Sequence, residues 1–137
     1  MEDGCGIYRL AETMQKTCSK LDELKERFGK VNLEDKSSVW NTEWLLAIEL
    51  EYQLDVAQTM AYSALHRRES RGAHQRLDGF EQRDDVNFLK HSQAHYVVGG
   101  PPRIDYGPVK ITKSQPGTRA YGAAGEKAEQ ERKASHA

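Results

Sequence analysis

The sequence predicts a mainly α fold: a long antiparallel helical hairpin, followed by a small β-hairpin and a disordered C-terminal tail. Three observations carry that prediction. Apolar residues recur at helical spacing over residues 10–28 and again over residues 42–70. Strand-like residues flank Gly99-Gly100-Pro101-Pro102 within about 88–112. From Gly117 onward the chain is rich in Ala, Gly, Glu and Lys, with little left to bury, so residues 122–137 read as a flexible tail.

The first long helix is one-faced. Leu10, Met14, Cys18, Leu21, Leu24 and Phe28 fall in a single stripe, with Glu12, Lys16, Lys20, Glu23 and Arg27 outside it or along its edge. Gly29 stands where a C′ glycine is expected, and Lys25 and Arg27 suit the negative end of the helix dipole.

The second long helix opens at an Asn41 cap, with Trp40 and Leu45 placed for a hydrophobic staple. It is expected to run to about Ser70, with Gly72 just beyond. One stripe holds Leu45, Ile48, Tyr52, Val56 and Met60; a second, rotated by more than a right angle, holds Leu46, Leu50, Leu54, Ala57, Ala61, Ala64 and Leu65. Only the sector of Glu51, Asp55, Gln58 and Thr59 reads as wet. The first helix can cover one stripe, and no third long amphipathic helix follows. Each exposed Leu or Ile forgoes roughly 1.5–3 kcal/mol of burial. The expectation is therefore a fragment, or a subunit that is whole only in a complex.

Composition narrows the function. At 137 residues the chain is one domain at most. A net charge of −1 argues against non-specific nucleic-acid binding, which needs a cationic face. No apolar run approaches the length of a bilayer span, the acidic start has no secretory pattern, and Cys5 and Cys18 fit a reducing cytoplasm. Those cysteines have no metal or redox spacing and read as small buried hydrophobes. Among His66, His74, His91 and His95, the pair His91/His95 with Asp84 or Asp85 could hold a metal only on a helix, and that segment reads as extended. No glycine pattern suggests a phosphate or dinucleotide site.

What remains is the charged loop over residues 71–87, which carries Arg71, His74, Arg76 and Asp84-Asp85. Read locally, arginines at the helix end bond its last carbonyls and the two aspartates, and pin the loop. Read functionally, Arg71 offers a fork-shaped contact to a carboxylate or phosphate on another domain. The local reading is the commoner fate of such loops.

The same residues carry a resemblance. Glu69-Ser70-Arg71-Gly72-Ala73-His74, preceded by Met60-Ala61-Tyr62-Ser63-Ala64 and followed by Arg83-Asp84-Asp85-Val86-Asn87-Phe88-Leu89-Lys90-His91, resembles the C-terminal helical domain of fumarate reductase and succinate dehydrogenase flavoprotein subunits. Met1 to Arg9, Ser37 to Thr42 and Val109 to Thr112 match as well, so the likeness covers residues 1–121. The Val-Asn-Phe-Leu-Lys-His stretch looks like the bacterial fumarate reductase branch. Leu10-Ala11-Glu12 departs from the Thr-Pro-Glu with which the family often opens the first helix, which removes that cap.

The resemblance implies a hairpin from a three-helix, spectrin-repeat-like bundle. It implies a parent that interconverts fumarate and succinate with covalent FAD, in either physiological direction, and passes electrons through an iron–sulfur subunit and membrane anchors on the cytoplasmic face of the inner membrane. The flavin site and the hydride- and proton-transferring residues would lie upstream, so the chain itself is expected to bind no cofactor or metal and to have no redox activity. Ser70, Arg71, Gly72, His74 and Arg76 would form an edge docked on the flavin domain, with Asp84 and Asp85 fixing the loop and His91 beside them. Rival readings are a free-standing adaptor that takes a partner helix in the uncovered groove, and a small metalloprotein; self-association through the bare seam is compatible with the fragment reading.

Overall fold

The structure, a computed structural model, describes residues 1–113. The expected flexible tail lies outside the described residues. The described chain is mostly helical with two small sheets: α1 (Glu2–Cys5), β1 (Tyr8–Arg9), α2 (Ala11–Phe28), α3 (Thr42–His66), β2 (Gln75–Arg76), α4 (Asp85–Phe88), β3 (Lys90–His95) and β4 (Arg103–Pro108). The long helices α2 and α3 pair antiparallel: Asp22 meets Gln58 and Tyr62, whereas Lys25, one turn further on, meets Asp55, one turn back.

The core lies in that pairing. Met14, Cys18 and Leu21 of α2 pack with Leu54, Ala61 and Ala64 of α3, and Cys5 of α1 closes one end. Leu24, Phe28, Ala57, Tyr62 and Leu65 pack around them. At Gly4, a Cβ would stand 1.7 Å from Thr17 Oγ1. Glycine is what allows α1 to lie flat on α2.

Several expectations are corrected. Helix α3 ends at His66, four residues short of Ser70, because Arg67 turns extended (φ −82°, ψ 103°) and the last carbonyls are taken by the buried Arg76 guanidinium. Gly72 is left-handed (φ 60°), but it serves a tight turn in which Arg71 and His74 exchange backbone hydrogen bonds of 2.9 and 3.1 Å, not the helix end. Gly29 follows α2 in a right-handed conformation (φ −60°), so that position makes no special demand for glycine. Asn41 does cap α3, accepting from Trp44 N at 2.8 Å. The staple does not form: Trp40 sits at φ 58° and is 93% exposed, while Leu45 is itself exposed. Gln58, placed by its polarity in the wet sector, is buried at the helix–helix seam, where it donates to Asp22 Oδ1 (2.7 Å) and accepts from Lys25 Nζ (3.2 Å). A buried amide is tolerated when its donors and acceptors are met.

The uncovered surface of α3 is as expected. Leu45, Tyr52, Val56 and Met60 of the first stripe, and Leu46 and Leu50 of the second, are exposed. The β-hairpin forms in the expected region, its six residue pairs running from Lys90↔Pro108 to His95↔Arg103. The additional parallel pairing of β1 with β2 (Tyr8↔Gln75, Arg9↔Arg76) ties the charged loop to the start of the chain.

Candidate functional site

The loop after α3 is organised by a carboxylate that the charge pattern alone does not single out. Glu69 has no solvent exposure. Its Oε1 accepts from Arg67 Nε and Arg71 Nε, each at 2.8 Å, and its Oε2 accepts from Arg71 Nη2 at 3.0 Å and from Asp84 N at 2.9 Å. Burial pushes this carboxyl up, but the hydrogen bonds from Arg71, Asp84 N and Arg67 together outweigh burial and hold it below its ordinary range. An anion so enclosed is stable only because cations and amides surround it. The available signal was stoichiometric: three arginines near one helix end need carboxylates, and Glu69 lies between two of them.

Arg71 uses its fork on Glu69 and sends Nη2 also to Asp85 Oδ1 at 2.6 Å. The local ion-pair reading therefore describes its observed contacts. Asp85 also accepts from Arg83 (2.6 Å). The Asp84 carboxylate spends its hydrogen bonds on its own turn rather than on an arginine. It caps α4, accepting from Val86 N and Asn87 N at 3.1 and 3.0 Å. Arg67 reaches across to the β-hairpin, donating to Phe88 O, Lys90 O and Ser92 Oγ.

Arg76 is the second organising group. It is 2% exposed, forks onto Asp78 at 2.8 and 2.6 Å, and lies over the Phe80 ring. Its Nη1 points at the carbonyls of Ala64, Leu65 and Arg67 (3.5, 3.3 and 3.0 Å), so it closes the C-terminus of α3 in trans. Asp78 completes the exchange by accepting from Ala11 N at 2.7 Å. That bond replaces the cap which Leu10 cannot supply. Arg76 and then burial move the Asp78 carboxyl in opposite directions, and the pairing wins, leaving it below its ordinary range. One ion pair thus seals the end of one long helix and the start of the other.

Ser70 is buried and satisfied, its Oγ donating to Phe80 O (2.9 Å) and accepting from Arg76 N (2.8 Å). His74 is half-buried between Arg9 Nη1 (2.6 Å from Nδ1) and the Arg67 carbonyl (3.0 Å from Nε2). Burial first, and then the neighbouring guanidinium groups, press its pKa down. The structure thus brings Ser70, Arg71, His74, Arg76 and Asp85 together with Glu69, Arg67, Asp78 and Arg9, which sequence reasoning left out. His91 stands apart, exposed on β3 opposite Gly107. His91 and His95 lie on an extended strand, and no group of three His, Cys, Asp or Glu side chains among the described residues is placed to hold a metal. The free cysteines are buried, and burial raises the Cys18 thiol to about 11, far from a nucleophile's range.

The contacts of this clasp are ion pairs and hydrogen bonds between chain segments. It is a device for fixing chain segments to one another. The chain is 58% identical over 134 residues to the fumarate reductase flavoprotein subunit of Haemophilus influenzae, covering 98% of this chain and 22% of the relative. It is 63% identical over 123 residues to that of a Serratia species, covering 89% and 21%. Among solved structures it superposes on an E. coli quinol fumarate reductase FrdA chain with a TM-score of 0.84 at 57% identity, covering 88% of this chain and 21% of that one. The chain therefore spans about a fifth of the length of the relatives it matches. The family model described as fumarate reductase flavoprotein C-term matches residues 1–121, and this chain belongs to that family.

Proposed function

We propose that this chain is the C-terminal helical domain of a fumarate reductase flavoprotein subunit, supporting the flavin-binding part of the polypeptide and doing no redox chemistry itself. The observation that supports this most directly is the bare seam of α3. Tyr52, Val56 and Met60 are each more than half exposed, and with Met1, Gln53 and Ala57 they line an open apolar groove. A third helix from elsewhere in the parent polypeptide would cover it and complete a three-helix, spectrin-repeat-like bundle. In the parent, FAD is the cofactor of fumarate–succinate interconversion. An iron–sulfur subunit and membrane anchors are its electron-transfer partners, and the complex is peripheral on the cytoplasmic face of the inner membrane. No helix among the described residues is long and apolar enough to cross a membrane.

Within this reading the clasp sets a docking edge. Ser70, Gly72, His74 and Arg76 shape it, and Asp84 and Asp85 hold the loop. Arg71, its side chain 28% exposed, offers the part of its guanidinium that Glu69 and Asp85 leave to the surface to the flavin domain, and His91, apart from the clasp on β3, offers a separate contact. The test is Arg71→Ala in the full-length subunit, with Arg71→Lys beside it. Flavin attachment, assembly with the iron–sulfur subunit or turnover should fall in the alanine variant. If all three stay normal, the docking role is wrong. The 137-residue chain mixed with FAD, fumarate and a reduced dye should oxidise the dye no faster than buffer. A clear catalysed rate would overturn the assignment of chemistry to the rest of the parent.

A further inference from the structure

His74 occupies a position that only its neutral form can fill. Arginine can only donate and a carbonyl can only accept. Arg9 Nη1, 2.6 Å from Nδ1, therefore requires a lone pair there, and the Arg67 carbonyl, 3.0 Å from Nε2, requires a proton there. The partners assign the tautomer: Nε2–H, with Nδ1 bare. The charged groups facing the ring are Arg9 from β1, Arg67 from the end of α3, and Arg76 from β2. The nearby carboxylates are engaged elsewhere, Glu69 with Arg67 and Arg71, and Asp78 with Arg76 and Ala11 N. No carboxylate hydrogen-bonds to the imidazole among the described residues. A proton added at Nδ1 would oppose the Arg9 donor and place a fourth positive charge among three guanidinium groups.

Arg9 is also the hub of the N-terminal segment. Its Nε donates to Gly6 O (2.6 Å) and its Nη2 to Cys5 O (3.1 Å), so it holds the turn between α1 and β1. The β1–β2 pairing beside it includes Gln75 N to Ile7 O (3.0 Å) and Leu77 N to Arg9 O (2.9 Å) at its two ends. Ile7 and Tyr8 are both exposed, so this short strand pair gains little from burial of apolar side chains on β1. We propose that His74 is a proton-operated latch: neutral, it locks residues 7–9 onto the charged loop through Arg9, and protonation releases them while α1 stays packed on α2 and the α2–α3 pairing stays closed. The downward displacement of His74 from its ordinary value of 6.5 agrees with this, because the released imidazole takes up the proton more readily than the latched one.

The test is amide hydrogen exchange of Gln75 and Leu77 in the whole chain as a function of pH, corrected for the intrinsic exchange rate, with Leu54 in the helical core as an internal reference. Both latch amides should be fully protected above about pH 7 and lose protection several-fold as pH falls toward about 5, while Leu54 stays protected. In His74→Gln, which keeps a neutral donor and acceptor but cannot titrate, their protection should not vary over that range. Unchanged protection in the wild type, or an equal loss in the glutamine variant, overturns the latch. A ring-carbon titration of His74 in the wild type keeps the question decidable if the variant does not fold. Protonation coinciding with loss of Gln75 and Leu77 protection supports the proposal. Protonation at or above 6.5, or with both amides still protected, defeats it.

Discussion

At Glu69, two guanidinium groups and a backbone amide converge on one carboxylate that water does not reach. Neutralising that carboxylate strands charge, since Arg67 and Arg71 keep their positive charge after losing their shared partner. Glu69→Gln should therefore cost about 3 kcal/mol, at the lower end for a broken buried pair because Arg71 is partly wet. Urea unfolding would measure it, and a loss near zero would mean the clasp is decorative. The pH sign follows from the displacement. The folded carboxyl titrates below its ordinary 4.5, so the unfolded chain takes up protons first as the medium acidifies. The contribution of Glu69 is complete above 4.5 and is lost as pH falls through the lower folded value. His74 acts in the same sense from a higher starting point, so stability should decline in two stages, one below about 6.5 and one below about 4.5. Thermal melts across that range would resolve them. Much of this cluster was legible in sequence, because Arg71, Arg76, Asp84 and Asp85 announce an ion-pair network by composition alone. Their pairing was not. Arg76 chose Asp78, two residues away, and Asp84 turned to cap α4, since a fork requires a geometry that spacing does not give.

Among the elements, α2 starts without a capping residue of its own, and α3 ends in the guanidinium of Arg76, ten residues beyond His66, rather than in a glycine. Both ends depend on the Arg76–Asp78 pair. Asp78→Ala should fray the first turn of α2, with faster amide exchange at Ala11, and should cost about 1–2 kcal/mol for the lost cap alone. If Ala11 exchange does not change, the cap is idle. The contact between the helices is set by small residues. Ala61 is fully buried against α2, and Ala61→Leu should cost about 1–3 kcal/mol by overpacking even though leucine is the more hydrophobic residue. A neutral or stabilising result in a denaturant titration would show unfilled space there. The periodicity of residues 10–28 located α2 to within a residue. It overran α3 by four residues, because helix propensity does not register a side chain arriving from ten positions downstream to take the final carbonyls.

For the molecule as a whole, the long helices cover each other on one side only, and the seam from Leu45 to Met60 is left to water. An apolar strip of that length on an otherwise polar surface favours association. The chain alone should self-associate with rising concentration in sedimentation experiments. A charge placed at Val56 or Met60, as in Val56→Glu, should suppress that association and leave the unfolding midpoint of the dilute monomer almost unchanged. A chain that stays monomeric at high concentration, or a variant that unfolds far more easily, would show the seam to be covered from within.

The sequence by itself determined that there would be two long helices, which of their residues are apolar, and that one helix has more apolar surface than the other can cover. These follow from periodicity, which depends only on neighbours within a few turns. Tertiary structure alone decided where α3 stops, which carboxylate each arginine takes, that Gln58 belongs inside, and that residues 8–9 and 75–76 lie side by side. Most of those choices join distant residues, from the 9 positions between Arg67 and Arg76 to the parallel pairing of Tyr8 with Gln75, and even the close arginine–carboxylate pairs take their geometry from the segments packed around them. A fork, a tautomer or a buried amide is fixed by the three-dimensional arrangement of donors and acceptors around it, and that arrangement exists only once the distant segments have met.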